Sequence, residues 1–408
     1  MQDNVCTPGV SAASKVAHTT DILEHIFSHI SARNDLVSLL RTSTLFFRLV
    51  DRKLYQSISI SNKCNPFFGI PYGDISGGRG GFYGKARLLE FVRAVVVERA
   101  SVPIEGSVWK RWRMLPALPL VDTVIMQPAD SNTQQDGGSD RSLPKNALVE
   151  RLCPNATHLC LSLPWLTPGA KQAHPMPSFP KVKTLVIKST AVDTIDIDYI
   201  TGDQRAKAEW PNVTMVHLYI WGDLVSPRKY LLRSGWPNKA AIDWSEILAI
   251  GNGTYKELGA IHDYALDSLM RRIAMLLSIS ALRLYNVEEM LDRLKSWKMT
   301  RRTFKTSRGR MERALLEMMR DVAKYSGLSD KSAEVDISWR PAQEFYQTFG
   351  GVLDQSEDER WYRSTVLDPS PRLVALRARL AVKTAYPVSN FISLTESDAE
   401  YALAAYKG

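Results

Sequence analysis

Cysteine is scarce in this chain, which has only Cys6, Cys64, Cys153 and Cys160 among its 408 residues. So few and so scattered, they exclude a disulfide framework and read as reduced thiols of a cytosolic or nuclear protein. Long hydrophobic runs are missing too. The longest apolar stretch, near Ile273 to Leu282, is interrupted by Ser278 and Ser280 and falls short of the ~20 residues that span a bilayer. The opening residues carry Asp3 and lack both a basic start and an apolar run, which predicts no signal peptide and no membrane association. The sequons at Asn155, Asn212 and Asn252 are then chance matches. Neither H-E-x-x-H nor G-x-S-x-G occurs, and no serine, cysteine or histidine stands in a nucleophile motif. The chain reads as non-catalytic.

Two tempting sites fail on spacing. The glycine-rich stretch Gly77-Gly78-Arg79-Gly80-Gly81-Phe82-Tyr83-Gly84-Lys85 suggests a phosphate cradle, yet Arg79 stands five before Gly84 and Ala86 follows Lys85 where Ser or Thr is needed. We read residues 61–87 as a glycine- and aromatic-rich loop. His158 and Cys160 share a strand face with Cys153 nearby, but a zinc site needs a fourth ligand and a common focus. No cofactor and no metal are expected.

What is present begins with ordinary globular composition, 45% hydrophobic and 23% charged, enough to bury a core. Residues 1–16 are small and polar, with no period of either kind, and read as a mobile tail. From Thr20 the pattern changes. Ile22, Leu23, Ile26, Phe27 and Ile30 recur at helical spacing behind a cap at Thr19 or Thr20, with Asp21 and Glu24 in the first turn. A second apolar group follows at Leu36, Val37, Leu39 and Leu40, and a third at Leu45, Phe46, Leu49 and Val50 after a Thr42-Ser43-Thr44 break. Three short helices in so few residues need a partner, or the rest of the chain, to finish their apolar surface.

The run His18-Thr19-Thr20-Asp21-Ile22-Leu23-Glu24-His25-Ile26-Phe27-Ser28-His29-Ile30, then Leu36, Leu39, Phe46-Phe47-Arg48-Leu49, Asp51 and Leu54-Tyr55, resembles the F-box, especially its fungal versions. The resemblance covers roughly residues 18–60, within a module we bound at 17–60, and has His18-Thr19 where the family usually opens with Leu-Pro. It implies docking onto the Skp-type adaptor of an SCF-type cullin-RING ubiquitin ligase. The implied contact residues are Thr19, Ile22, Leu23, Ile26, Phe27, Ile30, Leu36, Leu39, Phe46, Leu49 and Leu54.

Beyond Ser57-Ile58-Ser59-Ile60, which alternates like a strand, four segments share a proline followed by apolar residues spaced h-x-x-h-x-h. They are Pro119 with Val121, Val124 and Met126; Pro154 with Ala156, Leu159 and Leu161; Pro180 with Val182, Leu185 and Ile187; and Pro211 with Val213, Val216 and Leu218. Val92, Val95 and Val97 fit the template without the proline, as do Ile279, Leu282 and Leu284, and weaker candidates lie at Trp244 to Ile250 and at Val335 and Ile337. The two alternating positions send one face of each strand inward, so the residues between them are expected to face solvent. Lys145 to Leu152, Tyr255 to Leu277 and Val287 to Trp297 have helical spacing and would cover the crossovers. Residues 88–350 thus read as repeats that bury their apolar faces by stacking. They resemble the irregular leucine-rich-repeat half of F-box proteins, Cys153-Pro154-Asn155 and Trp210-Pro211-Asn212 being typical of fungal members, with Thr190 and Asp223 where an asparagine ladder would stand.

The expected fold class is α+β, a three-helix F-box-like module followed by an α/β solenoid of parallel strands, closed by a C-terminal capping region over 351–408. The outward residues Glu98, Gln127, His158, Ser162, Lys188, His217, Tyr219 and Trp221 mix aromatic and polar groups and form the expected surface for an unknown target protein. Between Lys295 and Arg313, eight basic residues stand against Glu312 alone, most of the net +9. A solvated face is the plain account and a nuclear-import or acidic-partner patch the sharper one, and the absence of an aromatic platform argues against nucleic acid. The functional expectation is a substrate-recognition adaptor. The alternative is a repeat scaffold with no link to ubiquitin.

Overall fold

The molecule, a computed structural model, is described over residues 19–30, 33–61, 66–67, 88–98, 115, 117–127, 145–163, 176–190, 197–201, 208–222, 272–277, 279–287, 337–349, 357–385, 388–392 and 394–405. The tail 1–16, nearly all of the glycine-rich loop, Trp244 to Ile250 and the basic segment 295–313 lie outside these.

The recurring proline does identifiable work at the start of each strand. Leu118, Cys153, Phe179 and Trp210, the residues just before the prolines, are all buried. Each closes a turn: the amides of Val121, Ala156, Val182 and Val213 donate back to those four carbonyls at 3.3, 3.1, 3.1 and 3.3 Å. Proline suits the second position of such a turn because its φ is preset and its missing N–H is not needed there. The turns Leu89 to Val92 and Leu276 to Ile279 close the same bond without proline, at 3.3 and 3.0 Å. Neighbouring turns are stitched together by side chains. Asn155 Nδ2 donates to the Pro119 carbonyl at 3.1 Å, Asn212 Nδ2 to the Pro180 carbonyl at 2.6 Å, and Lys181 Nζ to Asn155 Oδ1 at 2.7 Å.

Among the described residues eight strands follow, β1 (Ser57–Ile60), β2 (Ala94–Glu98), β3 (Thr123–Gln127), β4 (His158–Ser162), β5 (Thr184–Thr190), β6 (Met215–Trp221), β7 (Ala281–Tyr285) and β8 (Ile337–Arg340). They form one sheet in chain order, and every neighbouring pair is parallel. The register aligns equivalent template positions: Leu159 pairs with Leu185 and Leu185 with Val216, the layer expected from the repeat. Parallel neighbours require crossovers, and α4 (Lys145–Leu152), α5 (Ile197–Thr201) and the helical stretch 272–277 lie in them. On the first face, Val95, Val124, Leu159, Leu185, Val216 and Leu282 join these helices in one core, with Phe67 from the otherwise undescribed loop also fully inside.

The expectation that the intervening residues face solvent is overturned. Val96, Ile125, Cys160 and Val186 are buried on the second face, in one cluster with Tyr219, Tyr285 and residues of the C-terminal helices. The physical reason is general, because parallel sheets are covered on both faces and their strands carry near-continuous apolar runs. Val95-Val96-Val97 and Val124-Ile125-Met126 are such runs. The cover comes from α6 (Ala342–Phe349), which follows β8 after Pro341, and from α7 (Glu357–Tyr362). Further on, α8 (Pro371–Thr384) and α9 (Glu396–Ala405) bury Leu373, Leu376, Leu380, Leu394 and Ala399 against each other in a core of their own.

The N-terminal module is built as its periodicity predicts. Helices α1 (Thr20–Ser28), α2 (Arg33–Leu40) and α3 (Thr44–Leu54) enclose Leu23, Phe27, Leu36 and Val50. Ser43 caps α3, its Oγ accepting from the Phe46 amide at 3.1 Å. Phe27 and Phe46 meet edge to face at 5.2 Å, and Lys53 Nζ donates to the Phe27 carbonyl at 2.9 Å, tying α3 to the end of α1. Among the described residues no helix is long and apolar enough to cross a membrane.

Candidate functional site

Two surfaces hold the candidate residues. On the helical module, the eleven expected contact residues divide by burial. Leu23, Phe27 and Leu36 lie inside the three-helix core, which removes them from direct contact with a partner. Ile30, Leu39, Phe46, Leu49 and Leu54 are half-buried around it. Ile22 and Ile26 stand out at 40% and 47% exposure, one turn apart on α1, and Thr19 is exposed at the start of that helix without a side-chain capping bond. An exposed isoleucine is unexceptional alone. A pair at i and i+4, with half-buried Ile30 one further turn along, makes an apolar stripe exposed at Ile22 and Ile26.

The second surface is the face expected to meet a target, whose candidates lie on β2 to β6, and the register sets Val186 and Lys188 of β5 beside β6 as expected. Val186 pairs with His217, Lys188 with Tyr219 and Thr190 with Trp221, while His217 pairs with Arg283 and Tyr219 with Tyr285. Their exposure is another matter. Lys188, His217 and Tyr219 are buried, Ser162 is buried, Gln127 and Trp221 are half-buried, and His158 alone among them is exposed. Glu98 belongs to β2, but its side chain lies outside the described part. The expected open patch is a covered one.

The cover is aromatic. Phe345 of α6 stacks on Tyr219 with ring centroids 4.3 Å apart, Tyr346 meets Tyr219 edge to face at 5.6 Å, and Phe349 meets His217 in the same way at 5.0 Å. Tyr346 in turn stacks on Tyr362 of α7 at 4.2 Å. Beneath this layer His217 Nδ1 and the Tyr285 hydroxyl are 3.0 Å apart. Burial, with the charges of Arg283 and His158 adding to it, lowers the His217 pKa to about 4, so the ring is neutral at physiological pH. Burial also raises that of Tyr285, against the opposing charge and hydrogen bond of Arg283. Neutral groups are what a site shut away from water favours.

Phe345, Tyr346, Phe349, Arg283 and Tyr285 were missing from the sequence-level candidates. Their signal was available in part: Arg283 and Tyr285 alternate on β7 as His217 and Tyr219 do on β6, and Phe345 and Phe349 are one helical turn apart. Asn286 was missed as well. It takes a positive φ of 62° just after β7 and donates from Nδ2 to the Ile220 carbonyl at 2.6 Å, a strand-end bond of the kind sought at Thr190 and Asp223.

On the zinc question, His158 is exposed with its Nδ1 2.9 Å from Thr157 Oγ1, whereas Cys153 and Cys160 are buried and not joined in a disulfide, Cys153 among the first-face core and Cys160 in the second. Among the described residues no three His, Cys, Asp or Glu side chains gather as a metal site. Comparison with known proteins returns no match to any family model, curated protein or solved structure.

Proposed function

We propose that this chain is a substrate receptor of an SCF-type cullin-RING ubiquitin ligase, its N-terminal helices docking on the Skp-type adaptor and its repeats presenting a target. The observation that carries this reading is the exposed Ile22 and Ile26 pair, set on a three-helix module whose order and spacing resemble the F-box. A buried interface that included them would remove apolar area from water at roughly 25 cal/mol per Å². The finer reading of residues 88–350 as a leucine-rich-repeat-like solenoid draws support from the repeated strand-entering turn and from the chain-order parallel sheet. The receptor would contribute proximity, holding target lysines beside a conjugating enzyme supplied by other subunits. Cytosol or nucleus is the compartment this implies.

Binding of the full chain to purified Skp-type adaptor tests it. Ile26→Asp places a charge on the open stripe and is expected to abolish binding while leaving the thermal melt unchanged; undiminished binding overturns the reading.

A second reading is favoured by one contact. Arg52 of α3 lies 5.4 Å over the Phe91 ring beside the sheet, so the module touches the repeats and could serve as their N-terminal cap, in a scaffold unconnected with ubiquitin. Adaptor binding separates the two.

A further inference from the structure

The two faces of the sheet at β6 and β7 differ in kind. The first face presents Val216, Leu218, Ile220, Leu282 and Leu284, all aliphatic and all buried, as a permanent core in a parallel sheet should be. The second face presents buried His217, Tyr219 and Tyr285 and half-buried Arg283, with buried Lys188 beside them on β5. Aromatic residues and arginine are the types enriched at protein interfaces, where an amphipathic side chain tolerates both water and a partner. On the same face the earlier strands carry Val96, Ile125, Cys160 and Val186, with His158, Ser162 and Lys188 at strand ends, so it is the aromatic character that is local to the area under α6.

The helix covering this area is slight. It is eight residues long, well under the ~12–15 at which an isolated helix becomes marginally stable, so its docking holds it together. That docking rests on Phe345, Tyr346 and Phe349, while Gln343, Gln347 and Thr348 face water. Pro341 alone separates it from β8, so a released α6 stays tethered beside its site.

We propose that α6 is a displaceable plug on an interaction surface formed by His217, Tyr219, Arg283 and Tyr285, and that the external ligand of this surface is a helical protein segment carrying aromatic residues four positions apart. The plug defines the ligand chemistry, since Phe345 and Phe349 already satisfy the surface in that spacing. This deepens the receptor reading, on which its description as a target site rests. A target must then compete with α6, and its apparent affinity is reduced by the fraction of chains in which the plug is docked. A longer helix with the same two aromatic residues would displace it by covering more of the face.

Hydrogen exchange on the unmodified full chain supplies the first test. The amides of α6 are expected to exchange at least about 100-fold faster than those of β6, because the plug opens without unfolding the sheet. Exchange of α6 only together with β6, at the same rate, overturns the proposal and makes the helix ordinary core. The second test uses the full chain carrying Phe345→Ser and Phe349→Ser and a labelled peptide of residues 340–352. The peptide is expected to bind this opened chain at least about tenfold more tightly than the unaltered one, and to lose binding when its own two phenylalanines are replaced by serine. Equal binding, or none to a variant whose β-sheet circular dichroism is intact, overturns the ligand assignment; if the variant fails to fold, the exchange measurement decides. Neither readout uses the ubiquitin adaptor. Loss of adaptor docking would therefore leave this proposal standing, and an immovable α6 would leave docking through Ile26 untouched.

Discussion

His217 Nδ1 lies 3.0 Å from the hydroxyl of Tyr285 on the neighbouring strand, and the two rings stack with centroids 5.7 Å apart. Phe349 meets the imidazole edge to face at 5.0 Å, and the charge of Arg283 acts on it as well. A proton added to His217 would thus enter a dry site already under positive potential.

The sign of the resulting pH dependence follows directly. His217 titrates near its ordinary 6.5 in the unfolded chain and at about 4 in the folded one, so between those values the unfolded state binds the extra proton and stability falls as pH drops. Its contribution is complete above about pH 6.5, and the loss of up to ~3 kcal/mol is complete below about pH 4. Denaturant melts from pH 7 to 4 should show this decline, and His217→Asn should flatten that part of the profile. An unchanged profile in the variant would assign the acid sensitivity elsewhere.

The module's core and its exposed stripe should separate cleanly in stability. Phe27 is buried against Phe46, so Phe27→Ala is expected to cost about 3 to 5 kcal/mol. Ile26 is 47% exposed, and Ile26→Ala should stay within about 0.5 kcal/mol. Thermal melts of the two variants check this.

The turn-to-turn asparagines should behave as structural ties. Asn212→Ala removes the donor to the Pro180 carbonyl, and Asn155→Ala removes both the donor to Pro119 and the acceptor for Lys181. Each is expected to lower stability by about 1 kcal/mol, the effect of an ordinary hydrogen bond at a site that water reaches. Adaptor binding, measured in parallel, should not change.

Cys153 should be inert. It is fully buried and burial pushes its thiol pKa up to about 12, so almost no reactive thiolate exists at neutral pH. A thiol reagent mapped by mass spectrometry should leave Cys153 unmodified in the native chain and label it after denaturation.

Leu185→Ala should be severe, since Leu185 is fully buried between Leu159 and Val216 in the first-face layer. A loss of about 2 to 5 kcal/mol in chemical denaturation is expected.

What the sequence determined by itself is everything that repeats. The spacing of Leu23, Phe27, Leu36 and Val50 specified three amphipathic helices, because an apolar stripe at 3.6 residues has one way to leave water. The proline-led template specified the strands and even the register of Leu159, Leu185 and Val216, because parallel strands paired in chain order set equivalent positions side by side. Exposure was decided only by the tertiary structure. Whether Ile26 or Phe27 lies inside depends on where α3 crosses α1, and both are apolar and neighbours in sequence. Whether Tyr219 and His217 meet solvent depends on α6, more than a hundred residues further along, folding back across β6 and β7. Periodicity assigns residues to faces of an element, but it carries no information on which distant segment will cover a face, since that is a contact between non-local parts of the chain.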